Sequence, residues 1–252
     1  MAKWYETAFG RLYPVLYGHR DDDEARRAAA TFGSLFAGRG VVLDLGCGNG
    51  RYVRAFARVG VAMVGLDLSS FLLAEAAADA ALAGRVVQGD MRDLPFARAS
   101  LSGVINMFTS FGYFDTDDEN RRVLSECARV IAPGGVFLID FLNADRVVSA
   151  PLQRTRRERD GHTIDEDRSL SDDGRHLVKH VVVADADGRV EAEYDERVRL
   201  LTPGELGALL DGVGFRTTRA FGDYDGADFD ASRSPRVIMA CTRRMDEAPG
   251  GR

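Results

Sequence analysis

The feature that most constrains the fold of this chain is the stretch VVLDLGCGNG at residues 41–50. An apolar run that contains one acid, Asp44, leads into glycines at every second position, and a helical pattern begins at Arg51. Such an apolar run is typical of a buried parallel strand. The glycines let the backbone turn sharply and approach a ligand, and the next helix begins with free N–H groups. The stretch therefore predicts a strand, a nucleotide-type loop and a helix.

Beyond this loop, strand patterns alternate with helix patterns. We predict strands at 41–45, 62–66, 85–88, 102–107, 136–141, 215–221 and 236–242, and helices at 51–59, 71–83, 118–130 and 203–212. Strands separated by single helices indicate an α/β fold with a Rossmann-like, doubly wound, mostly parallel sheet, which binds ligands at the carboxyl ends of its strands. Five conspicuous polar residues fall at such ends: Asp44, Asp67, Asp90, Asn106 and Asp140.

These elements define a core formed by residues 41–144 and 201–243. One further segment precedes this core, and another is inserted into it. Residues 1–40 carry aromatic residues at helical spacing, with Pro14 as a break, and form either a helix packed on the core or a helical lid over the ligand. Residues 145–200 contain alternating charged runs separated by Asp-Gly pairs, which are hairpin signals. We predict three antiparallel strands here, as a substrate cover or a homodimer interface. The polar tail at 244–252 is expected to be disordered.

Composition restricts the partners. The net charge of -6 disfavours a nucleic acid, because phosphate binding relies on Lys and Arg. The three cysteines have neither a disulfide nor a zinc spacing. The acidic run at 117–120 is interpreted as a helix start, where acids favour the dipole, so no metal is predicted. Without a signal peptide or a membrane-spanning run, we expect a cytoplasmic protein that acts on a small molecule.

The nucleotide-type loop leaves two cofactor classes to compare. A dinucleotide fingerprint would need its third glycine where Arg51 stands, which disfavours a nicotinamide-dependent oxidoreductase. Asp67, at the end of the second strand, is placed to accept hydrogen bonds from a ribose diol, and its alternative role is a helix cap. Neither an Asn/Asp-Pro-Pro-aromatic motif nor a Pro-Cys pair follows the fourth strand. These motifs are typical of enzymes that transfer a group to the amines of nucleic-acid bases, to protein glutamine or to C5 of cytosine. Their absence disfavours those three substrates.

Over residues 41–141 the chain resembles the class I methyltransferases that depend on S-adenosylmethionine (SAM). The whole chain is similar to bacterial small-molecule N-methyltransferases of the aminosugar and glycine type, which also carry inserted strands and a Ser-x-Gly-aromatic turn. In the aminosugar enzymes a His stands in that turn where this chain has Tyr113. The resemblance implies SAM as the cofactor, S-adenosylhomocysteine (SAH) as the product, and methyl transfer to a nitrogen or oxygen of a small acceptor.

The resemblance also implies roles for individual residues. Asp44, Gly46 and Gly48 would seat the methionine and ribose end of SAM, Asp67 would hold the ribose, and Asp90 with Met91 would hold adenine. The other residues of the predicted cofactor site are Tyr5, Tyr17, Arg20, Cys47, Leu68, Arg92, Asn106 and Phe108. Tyr113 and His19 are the candidate bases or orienters of the acceptor. The remaining alternatives are a non-catalytic SAM-binding regulator and an RNA or protein methyltransferase.

Overall fold

The computed structural model of the protein describes residues 3–18, 22–150 and 153–245. The helices in these ranges are α1 (Trp4–Ala8), α2 (Tyr13–Tyr17), α3 (Asp22–Phe32), α4 (Arg51–Arg58), α5 (Ser70–Ala78), α6 (Asp117–Val130), α7 (Ala144–Ser149) and α8 (Pro203–Gly212). The strands are β1 (Val42–Leu45), β2 (Met63–Asp67), β3 (Val86–Gln88), β4 (Leu101–Asn106), β5 (Ile131–Leu142), β6 (Arg154–Arg159), β7 (His162–Leu170), β8 (His176–Ala184), β9 (Val190–Arg199), β10 (Phe215–Phe221) and β11 (Arg236–Arg243).

Seven strands form the larger sheet, in the spatial order β10-β11-β5-β4-β1-β2-β3. The strands from β1 to β5 run parallel, whereas β11 pairs antiparallel with both β5 and β10. All four residues of β1 are buried, as its apolar sequence predicts. Two separate apolar clusters contain alternate residues of the central strands, Leu43 in one and Val42 in the other. The predicted doubly wound, mostly parallel sheet is confirmed.

The loop after β1 needs its glycines for their backbone angles. Gly46, Gly48 and Gly50 have φ of 77°, 53° and 81°, in the left-handed region that side chains disfavour. At Gly46 a Cβ atom would also lie 2.9 Å from the Cβ of Ser110. The backbone can therefore turn from β1 into α4 while Ser110 packs directly against it.

The inserted sheet has four strands in the order β6-β7-β8-β9, so the prediction of three strands was wrong. The sequence of β6 is RTRRER, in which one residue is uncharged, and it therefore lacks the apolar alternation that indicates a strand. Asp160 and Gly161, with φ of 49° and 75°, form the turn into β7. Residues with positive φ are typical of tight hairpins, so the Asp-Gly pair was the available signal.

The aromatic N-terminal segment forms two short helices, with Pro14 in the first turn of the second one. A proline is tolerated there because the first N–H groups of a helix have no partner within the helix. Leu16 and Tyr17 of α2 pack on buried residues of the inserted sheet, including Val181. The segment therefore lies between the two sheets.

A buried carboxylate in β5 joins three further parts of the larger sheet. Asp140 is fully buried, and its side chain accepts hydrogen bonds from the backbone N–H of Phe108 at 2.7 Å and the Tyr224 hydroxyl at 2.5 Å. It also pairs with the Arg236 guanidinium, which donates to the Thr109 hydroxyl at 2.7 Å. Phe108 and Thr109 have positive φ of 59° and 60° without being glycine, which costs energy. The Asp140 network therefore holds a strained turn.

We predict that Asp140→Asn lowers the free energy of unfolding by about 3 kcal/mol, because it leaves the Arg236 charge buried and unpaired. Urea denaturation measures this change. The matched control is Asp228→Asn, whose carboxylate pairs with Arg219 on the surface and which should change stability by less than about 0.5 kcal/mol. Equal losses in the two variants would contradict the role given to Asp140.

Candidate functional site

A cavity lies between the carboxyl ends of the first strands and the N-terminal helices. Eight residues of the predicted site line it: Tyr5, Gly46, Gly48, Asp67, Leu68, Asp90, Met91 and Tyr113. They come from five separate parts of the sequence. The parallel sheet brings four of these parts together because its strands all end at one edge, and α1 adds Tyr5. The cavity is therefore the candidate site.

Asp67 links the glycine loop to the start of α5. One oxygen of its carboxylate accepts the N–H of Gly48 at 2.7 Å and the other accepts the N–H of Ser69 at 2.8 Å. Burial raises the pKa of Asp67, and these N–H donors offset only part of the rise. A carboxylate has about four acceptor positions, so Asp67 can act as a local cap and still accept hydrogen bonds from a ligand.

Asp44 lies directly before the glycine loop, at the end of β1, and is 1% exposed. One of its carboxylate oxygens is buried without a hydrogen-bond partner among the described residues. Burial, together with the nearby charge of Asp67, raises the pKa of Asp44 to about 8. A cation bound next to Asp44 would favour the ionised form, so this end of the site suits a positively charged group.

Asp90 and Arg92 form an ion pair at the end of β3. The Arg92 guanidinium contacts Asp90 at 2.6 Å and Glu119 at 2.6 Å, and it lies 4.5 Å from the centre of the Phe114 ring. Burial would raise the pKa of Asp90, but its hydrogen bonds with Arg92 outweigh burial, and the pKa is lowered. Asp90 therefore stays ionised on the cavity wall, and Arg92 fixes its orientation.

Aromatic rings form the wall contributed by the N-terminal segment. The Tyr113 ring lies 4.9 Å from Trp4 and 6.0 Å from Phe9, measured between ring centres. Tyr5 packs edge-on against Phe114 at 5.6 Å. A hydrogen bond of 2.6 Å from the Ser69 hydroxyl to the Phe9 carbonyl joins this wall to α5. The aromatic residues of the N-terminal segment thus pack on the core and line the cavity, so these contacts are compatible with both roles considered for the segment, a packed helix and a lid.

Several predicted cofactor residues lie outside the cavity lining, among them Asp44, which is buried, and Arg92, which pairs with Asp90. Asn106 is buried and donates to the Leu45 carbonyl at 2.8 Å, across to β1. Cys47 is buried and packs closely against Gly65 of β2, where a Cβ atom would lie only 2.7 Å from the Cys47 Sγ. Phe108 lies 5.3 Å from the Arg51 guanidinium, measured to its ring centre.

The remaining predicted residues are further from the cavity or outside the described structure. Tyr17 contacts the inserted sheet, where its hydroxyl accepts a hydrogen bond from Lys179 at 2.7 Å. His19 and Arg20 lie outside the described residues. The roles predicted for all these residues stay predictions.

The cavity is also lined by eight residues that were not among the predicted site residues: Phe9, Tyr13, Leu66, Ser69, Leu72, Gly89, Ser110 and Phe114. Phe9 could have been found, because it belongs to the aromatic series with helical spacing. Ser110 is the first residue of the Ser-x-Gly-aromatic turn, but its packing against Gly46 depends on the left-handed turn at Phe108 and Thr109.

The acidic run at 117–120 is the first turn of α6, as interpreted from the sequence. The Thr116 hydroxyl caps the N–H of Glu119, and Asp117 pairs with Arg175 and Arg199 at 2.9 and 3.0 Å. Within the described ranges, no group of three or more His, Cys, Asp or Glu side chains is arranged to hold a metal ion. In the same ranges, every helix is too short or too polar to cross a bilayer.

Comparisons with known proteins agree with this geometry. The family model described as a methyltransferase domain matches residues 42–135. The chain is 33% identical over 172 residues to dTDP-3-amino-3,4,6-trideoxy-alpha-D-glucopyranose N,N-dimethyltransferase of Streptomyces venezuelae, covering 64% of this chain and 68% of that enzyme. Matches to two O-methyltransferases, of Enterobacter lignolyticus and Cronobacter sakazakii, cover only 53% and 56% of those proteins.

Solved structures extend the similarity of the fold. The CcbJ methyltransferase of Streptomyces caelestis superposes with a TM-score of 0.79 at 24% identity, covering 95% of this chain and 99% of CcbJ. The sugar N-methyltransferase KedS8 of a Streptoalloteichus species has a TM-score of 0.68 at 23% identity, covering 94% of each chain. These structures share the fold, and the 33% identity to an enzyme of which the chain covers 68% shows that the chain belongs to the SAM-dependent methyltransferases.

Proposed function

We propose that this methyltransferase transfers the methyl group to the amino nitrogen of a small, sugar-like acceptor. The observation that carries the proposal is the 33% identity to an enzyme named as an aminosugar N,N-dimethyltransferase. The fold shared with a sugar N-methyltransferase over 94% of each chain supports it, because a match of this extent takes in most of the four-stranded sheet. That sheet lies outside the residues that the family model matches.

The residues of the cavity fit SAM group by group. The carboxylate of Asp67 keeps acceptor positions for the ribose hydroxyls, and the unpartnered oxygen of Asp44 offers a counter-charge for the ammonium group. Gly46 and Gly48 line the cavity without side chains, so the backbone of the loop can approach the ligand. Leu68 and Met91 provide apolar surface beside Asp90 for the adenine ring. The cavity lining thus suits the nucleoside end of the molecule, and Asp44, buried outside the lining, is assigned to the ammonium end.

When bound, SAM supplies a methyl group whose bond to sulfur breaks, with the electron pair staying on sulfur, as the acceptor nitrogen forms the new bond to carbon. The protein mainly aligns the two molecules and excludes water. Asp67 and Asp90 fix the nucleoside end, and the aromatic wall with Tyr113 covers the cavity. We assign to the Tyr113 hydroxyl the orientation of the acceptor amine, which must be unprotonated to react and releases a proton after transfer.

The first test is calorimetric titration with SAH, with NAD as the control ligand. Protein that binds SAH is then incubated with SAM and either an amino sugar linked to dTDP or its hydroxyl counterpart. We expect mass spectrometry to show methylation of the amine alone. Tyr113→Phe should keep the SAH affinity and lower kcat about 100-fold if its hydroxyl orients the amine. Methylation of the hydroxyl compound alone would refute nitrogen transfer, and an unchanged kcat would remove the role of Tyr113.

We predict that Asp67→Asn weakens SAH binding by about 1–3 kcal/mol, because the ribose hydroxyls lose a charged acceptor. Calorimetry measures this change, and the urea midpoint verifies that the glycine loop is still folded. Asp79→Asn serves as the control, since Asp79 pairs with Arg54 at 3.7 Å outside the cavity lining. If both variants bind SAH as the wild type does, Asp67 does not hold the ribose.

The raised pKa of Asp44 leads to a prediction about proton release when SAH binds. Its pKa of about 8 leaves the carboxyl mostly neutral at pH 7, and an ammonium group bound beside it would lower that pKa. SAH binding at pH 7 should therefore release about one proton. Calorimetry in buffers of different ionisation enthalpy counts the released protons, and Asp44→Asn should release close to none. Equal proton release by the two proteins would show that Asp44 is not the group that ionises.

A further inference from the structure

A second cavity, open to solvent, lies over one face of the inserted sheet. Four cationic residues line it, Arg157, Arg159, Arg168 and Lys179, together with two carboxylates, Glu158 and Glu166. Phe108, from the turn after β4, and Tyr17, from α2, line the same cavity. Two residues further along, Ser110 lines the cofactor cavity. The second cavity therefore extends from the neighbourhood of the cofactor site to the inserted sheet.

The strand register brings the cations of this face together. Arg168 on β7 pairs directly with Lys179 on β8, and Glu166 on β7 pairs with Thr155 on β6. Like charges directly opposite each other in a sheet are unfavourable, so nearby carboxylates must compensate them. Lys179 contacts Glu196 of β9 at 2.7 Å, which offsets its charge.

The two arginines share a single carboxylate. Glu166 contacts Arg157 at 2.9 Å and Arg168 at 3.2 Å, and its side chain is only 5% exposed. Burial by itself would raise the pKa of Glu166, but the hydrogen bond from Arg157 and the charges of Lys179, Arg157 and Arg168 lower it to about 2. One carboxylate thus faces an excess of positive charge, in a protein whose net charge is -6.

Neither guanidinium is fully occupied by these contacts. Arg157 also donates to the Leu16 carbonyl at 2.9 Å, while its Nε is buried without a partner among the described residues. Arg168 is 34% exposed and contacts Glu166 through one nitrogen. A guanidinium has five N–H donors in a planar fork that matches phosphate and carboxylate oxygens. The face therefore retains donors suited to an oxyanion.

We propose that the cavity over the inserted sheet binds an anionic group of the methyl acceptor, a phosphate or a carboxylate, through Arg157 and Arg168. The acceptor amine would then point past Phe108 toward the cofactor cavity. This inference rests on the proposed function for the identity of the ligand as an acceptor. The inserted sheet thus selects acceptors by charge, separately from the residues that hold SAM.

The test uses the full chain saturated with SAH, titrated with inorganic pyrophosphate in one series and with malonate in another. We expect the wild type to bind at least one of these anions, and Arg168→Gln to weaken that binding about tenfold or more. Tighter binding of pyrophosphate identifies a phosphate group, and tighter binding of malonate a carboxylate. The affinity for SAH should stay unchanged. If Arg168→Gln does not fold, Arg168→Lys replaces it, and losing the planar fork should still weaken anion binding.

The matched control is Arg156→Gln, because Arg156 is on the adjacent position of β6 and pairs with Asp165 at 3.5 Å outside the cavity lining. It should bind the anion as the wild type does. No binding of either anion to the wild type, or equal weakening by Arg156→Gln and Arg168→Gln, overturns the inference. Failure of the wild type to bind SAH is the separate result that would refute the proposed function, so the two failures are distinguishable.

Discussion

The ion pair between Asp140 and Arg236 is the interaction on which the catalytic edge of the larger sheet depends. It joins β5 to β11, and through hydrogen bonds to Phe108 and Thr109 it holds the turn after β4 in a left-handed conformation. Ser110 then reaches the glycine loop, while Phe108 faces the second cavity. A buried pair of this kind is costly to separate, so the strain in the turn is balanced by a rigid anchor.

Much of the fold follows from local sequence signals. Buried parallel strands are continuous apolar runs and their helices carry caps, so the Rossmann-like sheet could be predicted from patterns such as that of β1. The pattern within β6 gives no such signal, because arginines on both faces leave no alternation of apolar and polar residues, and only the Asp-Gly pair at 160–161 indicates its hairpin with β7. Long-range partners, rather than intrinsic preference, determine a strand of this kind.

In the candidate site, too, some features follow from local sequence signals and others depend on distant segments. Asp67, Asp90 and the glycines could be predicted because each follows a strand directly, and the sheet places strand ends together. Arg92 is adjacent to Asp90 in sequence, yet its pairing with Glu119 of α6 depends on packing between distant segments. Tyr17 is similar, since the resemblance implies a cofactor role for it, whereas its contact with Lys179 of the inserted sheet depends on packing between distant segments.

The composition of β6 has a consequence for self-association. This strand is at one edge of the inserted sheet, where unpaired backbone groups could recruit a strand from another copy of the chain. It carries four arginines in six residues, so a second β6 laid against it would bring guanidinium groups into mutual repulsion. Charged edge strands discourage such pairing. The four-stranded sheet can thus remain open at this edge without becoming a template for aggregation.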